Sequence, residues 1–208
     1  PGPLTFVLKL KKNSKISTIV TNNKKILAVR FPKQELFKKL IKNLGYPLAA
    51  PSANISNKLS SVKASDVKEE FGNKIKFVLD GGKCKVGIES TIISLVKKPE
   101  ILRLGGLENS KIKKVLNKPI IININPNKKN APGQSKLHYS PGIPLRMNAK
   151  KLKKDEAFVV LKKKNIRNKD CFYLSKKGNL NEATKNLYST LRKIKKKGYK
   201  SIAVEKIK

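Results

Sequence analysis

The chain has 208 residues, 38% apolar and 30% charged, enough for a buried core and too apolar for a disordered polymer. No apolar run reaches the roughly 18 to 20 residues that span a bilayer, and Pro1 to Thr5 lacks the basic and apolar blocks of a secretion signal, so a soluble cytoplasmic protein with no membrane role is expected. The formal charge of +36 points to polyanions, but the lysines run from Lys9 to Lys208 without aromatic interleaving, so a solvated lysine coat competes with a nucleic-acid surface.

Residues 4 to 10 and 26 to 30 read as strands that share a sheet, with the turn signal Thr21-Asn22-Asn23 between them. Leu36, Phe37, Leu40 and Ile41 recur at helical spacing between Lys33 and Asn43, and Gly45 and Pro47 stop the pattern. Leu48-Ala49-Ala50 is the next expected strand. Ser65 to Phe71 reads as a helix capped by Ser65, and Phe77 to Asp80 as a strand closed by Gly81-Gly82. Strands at Thr91 to Val96 and Glu100 to Arg103 and a short helix from Ser110 to Leu116 follow, which makes a mixed α/β sheet the economical architecture.

From about Ile124 to Pro144 the prolines, glycines and asparagines leave no apolar period, as in a linker. Beyond it, strands at Ala157 to Leu161, Asp170 to Leu174 and Ser201 to Val204 surround an amphipathic helix from Asn181 to Lys197. That is a small βαβ unit. The expected division is therefore 1–122, a linker over 123–145, and 146–208.

Small residues and hydroxyls recur where these strands end. Pro51-Ser52-Ala53-Asn54, with Ser56 and Ser60 nearby, fits either a self-bonded Asx or Ser turn or a cradle of uncharged donors for phosphate. Arg30 and Arg103 stand out in a chain whose bases are nearly all lysine. The guanidinium fork suits a carboxylate or phosphate, and for Arg30 a salt bridge to Glu89 or Asp80 is the competing use. Glu89 fits a general base, a magnesium ligand or a lysine partner, and Ser90 is the better candidate for a ligand contact. The one histidine, His138, sits in Leu137-His138-Tyr139-Ser140-Pro141 and is either a surface group or part of a lid. Cys84 and Cys171 lie far apart without a CxxC or a histidine cluster, so neither a zinc site nor a disulfide framework is indicated. Gly-x-Ser-x-Gly, P-loop, GxGxxG and HExxH patterns are all missing from the sequence.

Taken in order, Pro1-Gly2-Pro3-Leu4-Thr5, Ala28 to Pro32, Pro47 to Ser56, Leu79 to Gly82, Gly87 to Ile92 and Ile101 to Gly106 resemble the YrdC-like domain of threonylcarbamoyl-AMP synthases over roughly residues 1 to 120. The linker, with His138-Tyr139-Ser140-Pro141, and the trailing unit resemble the two-domain form of that family. The resemblance implies an α/β fold, with a YrdC-like twisted mixed sheet and flanking helices followed by a small, partial Rossmann-like domain. It also implies a reaction in which L-threonine, bicarbonate and ATP give L-threonylcarbamoyl-AMP and pyrophosphate, for tRNA modification. Carried over by position, Arg30, Ala50 and Ser90 line the threonine site, while Ile26, Ser52, Ser60, Arg103, His138 and Tyr139 surround ATP. No protein nucleophile is called for, and magnesium shares the charge of the triphosphate. The partners implied are tRNA or other RNA and a downstream threonylcarbamoyl transferase machinery.

The family's early threonine and its lysine and arginine ATP cluster have no counterpart before Pro1, and its Gly-Leu-Gly segment has none after Glu205. The chain as given is therefore expected to be a truncated, inactive piece with exposed sheet edges. The competing readings are a carbamoyl-adenylating domain of hydrogenase maturation, which lacks the His-Tyr-Ser-Pro linker, and a non-catalytic basic RNA-binding module.

Overall fold

The structure is a computed structural model that describes residues 1–123, 139–163 and 168–207. Its packing divides the chain into two units, Pro1–Pro51 with Glu89–Lys136, and Ser52–Ile88 with Leu137–Lys208. None of the helices among the described residues is long and apolar enough to cross a membrane.

The first unit holds a five-stranded mixed sheet in the order β2-β1-β3-β4-β5. β1 (Leu4–Lys9) pairs antiparallel with β2 (Ile26–Arg30) and parallel with β3 (Thr91–Ser94), while β4 (Glu100–Arg103) runs antiparallel to β3 and parallel to β5 (Ile121–Ile122). Between β1 and β2, the short helix α1 (Thr18–Thr21) starts where Ser17 accepts a bond from the Ile19 amide and ends at left-handed Asn22. In α2 (Glu35–Leu44), the Gln34 side chain caps the Phe37 amide, and Gly45 at φ +71° terminates the helix as its sequence signal requires. α4 (Asn109–Leu116) buries Ile112. The buried apolar side chains among the described residues of this unit are Ile92, Ile93, Ile101, Leu102 and Ile112.

The second unit carries an all-parallel sheet in the order β6-β9-β7-β8, formed by β6 (Leu145–Ala149), β7 (Glu156–Lys162), β8 (Cys171–Ser175) and β9 (Ser201–Glu205). α5 (Leu180–Lys196) connects β8 to β9, which is the anticipated βαβ crossover. The central strands β7 and β9 are apolar on both faces, as buried parallel strands must be. Ala157, Val159, Phe172 and Leu174 pack with Ala183, Tyr188, Leu191 and Ile194 of α5 on one face, and Phe158, Val160, Ala149 and Ala203 cluster on the other. Leu59 and Val62 join the first cluster, so the segment containing α3 (Ala64–Phe71) is built into this unit, although composition groups it with residues 1–122. At the sheet margin, Arg146 grips the buried Glu156 with both fork nitrogens, Nε to Oε1 at 2.8 Å and a terminal nitrogen to Oε2 at 2.7 Å.

Several expected elements are not formed. Leu48-Ala49-Ala50 and Phe77 to Asp80 are irregular chain, exposed except for half-buried Val78, because an apolar run becomes a strand only beside another strand and neither segment has a place in the sheet orders. Ser65 does not cap its helix. Helix α3 begins one residue earlier, after Lys63, and Asp66 takes the bracing role by accepting from the Val62 amide at 3.0 Å. β5 and β6 lie in or beside stretches read as linker, where prolines and asparagines masked a short apolar alternation.

Candidate functional site

The register of the first sheet lines up one row across four strands. Arg30 on β2 faces Thr5 on β1, Thr5 faces Ile92 on β3, and Ile92 faces Arg103 on β4. Arg30 and Thr5 are register partners and share a face. The β3–β4 register shifts between Ile92 and Ile93, and Arg103 is placed on the same side by its bond to the Ser90 hydroxyl, which lies against Thr5. Ser90, two residues before Ile92, completes the row: its hydroxyl lies 2.7 Å from the Thr5 hydroxyl, and Arg103 donates to its hydroxyl at 3.1 Å and its carbonyl at 3.0 Å. Ser90 is buried, Arg103 half-buried and Arg30 exposed. Arg30 donates from Nε to the Gly2 carbonyl at 3.1 Å, and the Gly2 amide in turn donates to the Phe31 carbonyl, which fixes the first residues of the chain across the end of β2.

On the other side of the backbone, the fully buried Thr91 hydroxyl donates to the Leu107 carbonyl at 2.7 Å and accepts from the Leu107 amide at 3.2 Å. The Gly106 amide bonds the Glu89 carbonyl at 2.8 Å. Gly105 lies so close to Ser90 that a Cβ there would sit 2.4 Å from its carbonyl carbon. Glycine is therefore required by proximity, and the Leu104 to Leu107 loop is stitched to the strand that presents Ser90. Two guanidinium groups and two hydroxyls on one sheet face form a receptor suited to a carboxylate or phosphate, with little desolvation cost for the uncharged donors.

In the second unit, the Ser52 to Ser61 loop braces itself. The Asn54 side-chain amide donates to the Ile55 carbonyl at 2.8 Å and the Lys58 carbonyl at 3.2 Å, the Ser60 hydroxyl reaches Asn54 Oδ1 at 3.5 Å, and the Ser61 hydroxyl donates to the Ala53 carbonyl at 2.7 Å. Asn54 thus braces the loop by donating to two backbone carbonyls, while Ser52 stays exposed. Tyr139 stacks on Tyr188 of α5 with ring centroids 5.9 Å apart, and the Ser140 amide bonds the Asn57 carbonyl. Asp80 accepts from the Gly82 amide at 2.9 Å.

Of the expected site residues, Arg30, Ala50, Ser90, Ile26 and Arg103 belong to the first unit, and Ser52, Ser60 and Tyr139 to the second. Arg30, Ser90 and Arg103 share the row. Ala50 lies in exposed irregular chain, and Ile26 sits half-buried at the start of β2, opposite Lys9. His138, together with the anticipated lid around it and most of the linker, falls outside the described residues. Reading by residue type passed over Thr5 and the bond of the Thr91 hydroxyl to Leu107. Thr5 had a usable signal, a hydroxyl inside the apolar run Leu4-Thr5-Phe6-Val7, whereas the role of Gly105 depends on an approach that only folding creates.

Comparisons with known proteins place the chain in a family. A family model described as telomere recombination, covering the Sua5, YciO and YrdC group, matches residues 1–105, and one described as the threonylcarbamoyl-AMP synthase C-terminal domain matches residues 107–208. The chain is similar to threonylcarbamoyl-AMP synthases of Pyrococcus abyssi, 40% identical over 68% of this chain, and Bacillus subtilis, 37% identical over 70%. The matches span 42% and 43% of those relatives. The crystal structure of Pyrococcus abyssi Sua5 complexed with L-threonine superimposes with a TM-score of 0.84 at 32% identity, covering 100% of this chain and 66% of that one. A variant of the same protein, with consecutive histidine and tyrosine changed to alanine, gives 0.80 at 29% identity over 100% and 65%. The chain belongs to the threonylcarbamoyl-AMP synthase family.

Proposed function

We propose that the protein of which these residues form part is an L-threonylcarbamoyladenylate synthase, a nucleotidyltransferase acting in the cytoplasm. The threonine amine and bicarbonate give a carbamate with loss of water. The carbamate oxygen then attacks the α-phosphorus of ATP as the bond to the β-phosphate oxygen breaks, releasing pyrophosphate. The observation that carries this reading is the row Arg30, Thr5, Ser90 and Arg103 on one sheet face, in a chain 32% identical to a protein solved with L-threonine. A reaction of this kind needs juxtaposition and stabilisation of spreading negative charge more than a nucleophile from the protein.

In this reading, Arg30, Ala50 and Ser90 hold threonine, the guanidinium pairing with its carboxylate and the Ser90 hydroxyl orienting it. Ile26, Ser52, Ser60, Arg103, His138 and Tyr139 serve ATP, and Arg103 meets developing phosphate charge because Ser90 fixes its fork. The chain's one histidine is followed by Tyr139, which matches the consecutive pair replaced in the Pyrococcus variant. Magnesium enters with the triphosphate; among the described residues, no three histidine, cysteine, aspartate or glutamate side chains gather to hold a resident ion. Residues 1–122 form the synthase portion, 123–145 the connection and 146–208 the smaller domain. The adenylate passes to a threonylcarbamoyl transferase acting on tRNA, and the lysine-rich surface offers RNA a non-specific electrostatic contact.

Pyrophosphate release from ATP, measured with threonine and bicarbonate each present or omitted, tests the reading. Release that requires both, and that falls at least tenfold in Arg30→Ala and Ser90→Ala, is expected. Unchanged threonine binding in those two variants would refute the assignment.

A further inference from the structure

The proposed reaction gives α5 no task of its own, yet one of its residues reaches the loop that carries Ser52 and Ser60. A terminal nitrogen of Arg192 donates to the Leu59 carbonyl at 2.5 Å, to Glu70 Oε2 at 2.9 Å and to the Ser61 hydroxyl at 3.4 Å. Glu70, at the end of α3, uses its other oxygen to accept from the Ile55 amide at 2.6 Å. The Arg192 and Glu70 side chains are 17% and 7% exposed, so the pair is largely withdrawn from water, where its interactions are strongest. Leu59 and Val62, which flank the gripped carbonyl, are buried in the cluster formed with Tyr188 and Leu191.

The same face of α5 carries a second anchor. Tyr188 lies four residues before Arg192, one helical turn away, and stacks on Tyr139. The next residue, Ser140, bridges to Lys58 and bonds the Asn57 carbonyl. One row of a single helix therefore fixes both second-unit segments assigned to the nucleotide, the Ser52 to Ser61 loop and the Tyr139 strap.

We propose that Arg192, paired with Glu70, is a positioning residue for ATP: it holds the loop carrying Ser52 and Ser60 in its receptive form, and this is the contribution of α5 to the reaction. The inference rests on the assignment of that loop to ATP. One terminal nitrogen of Arg192 meets the carboxylate, the carbonyl and the hydroxyl, and a lysine in its place would retain the charge on a shorter side chain with a different donor geometry.

The test uses the intact natural polypeptide, with ATP and L-threonine titrated separately and amide hydrogen exchange followed over residues 55–61. Arg192→Lys and Glu70→Gln are each expected to raise exchange in that segment and to weaken ATP at least tenfold, while threonine affinity stays within twofold. The double variant should be no worse than either single one, since both remove the same clamp. Equal weakening of ATP and threonine would indicate general loosening and overturn the proposal. Unchanged exchange would do the same. Ser52→Ala and Ser60→Ala separate the two levels: if they weaken ATP and Arg192→Lys does not, only the positioning role fails, and if neither weakens ATP, the loop assignment fails together with the inference.

Discussion

The two units start from similar apolar strands and are filled in different ways. In the second, Ala157, Val159, Ile194 and Ile202 are all fully buried, because a 17-residue helix covers an apolar face of the sheet. In the first, apolar burial among the described residues is confined to β3, β4 and Ile112, and α2 buries none of its residues although Leu36, Phe37, Leu40 and Ile41 form a clear stripe. Amphipathic spacing makes a helix, but burial needs a facing surface. The second unit is therefore held by packed volume, and the site end of the first by hydrogen bonds around Ser90, Thr91 and Gly105.

The sharpest way to break this contrast is to remove volume from each unit. Ile194→Ala should cost roughly 3 to 4 kcal/mol, whereas Leu40→Ala on α2 should cost less than about 1 kcal/mol, read from urea unfolding with a probe in each unit. Equal costs would show that α2 is as well packed as α5. Next in size is Gly105→Ala, which forces a methyl onto the Ser90 backbone: about 1 to 3 kcal/mol is expected, with loss of threonine binding in calorimetry.

A smaller effect tests the polar margin of the second unit. The hydrogen bond from Arg146, aided by the Lys153 amide, holds the Glu156 carboxyl below the ordinary glutamate range, against the opposing effect of burial. A depressed folded value stabilises above the unfolded pKa, and this contribution disappears as pH falls through the folded one. The urea midpoint of the wild-type protein should therefore drop on acidification more than that of Glu156→Gln, and matching acid limbs would discount the pair. The smallest effect belongs to Glu35, whose carboxyl is also lowered, by a hydrogen bond from Lys38, but on an exposed helix turn. Glu35→Gln should leave the thermal midpoint unchanged within error.

What the sequence made legible follows the same division. β1 to β4, β7 to β9 and the helices α2, α4 and α5 were readable because each carries its period over several residues and ends on glycine or polar punctuation. Leu48-Ala49-Ala50 and Phe77 to Asp80 misled because strand identity depends on a neighbour that lies elsewhere in the chain. Arg30, Ser90 and Arg103 were found through residue chemistry, since arginine is scarce among lysines. Thr5 and Arg192 escaped because their importance arises from pairing over separations of 85 and 133 residues.

The parallel partnership of β1 and β3 governs how the molecule can be made. Leu4 and Thr5 leave the ribosome long before Thr91 and Ile92, so the receptor face cannot close until the chain has been made through Arg103. Residues 52–88, which intervene, must meanwhile await partners beyond residue 139. Neither half can be excised cleanly, and a nascent chain stalled near residue 90 would expose the apolar edges of both.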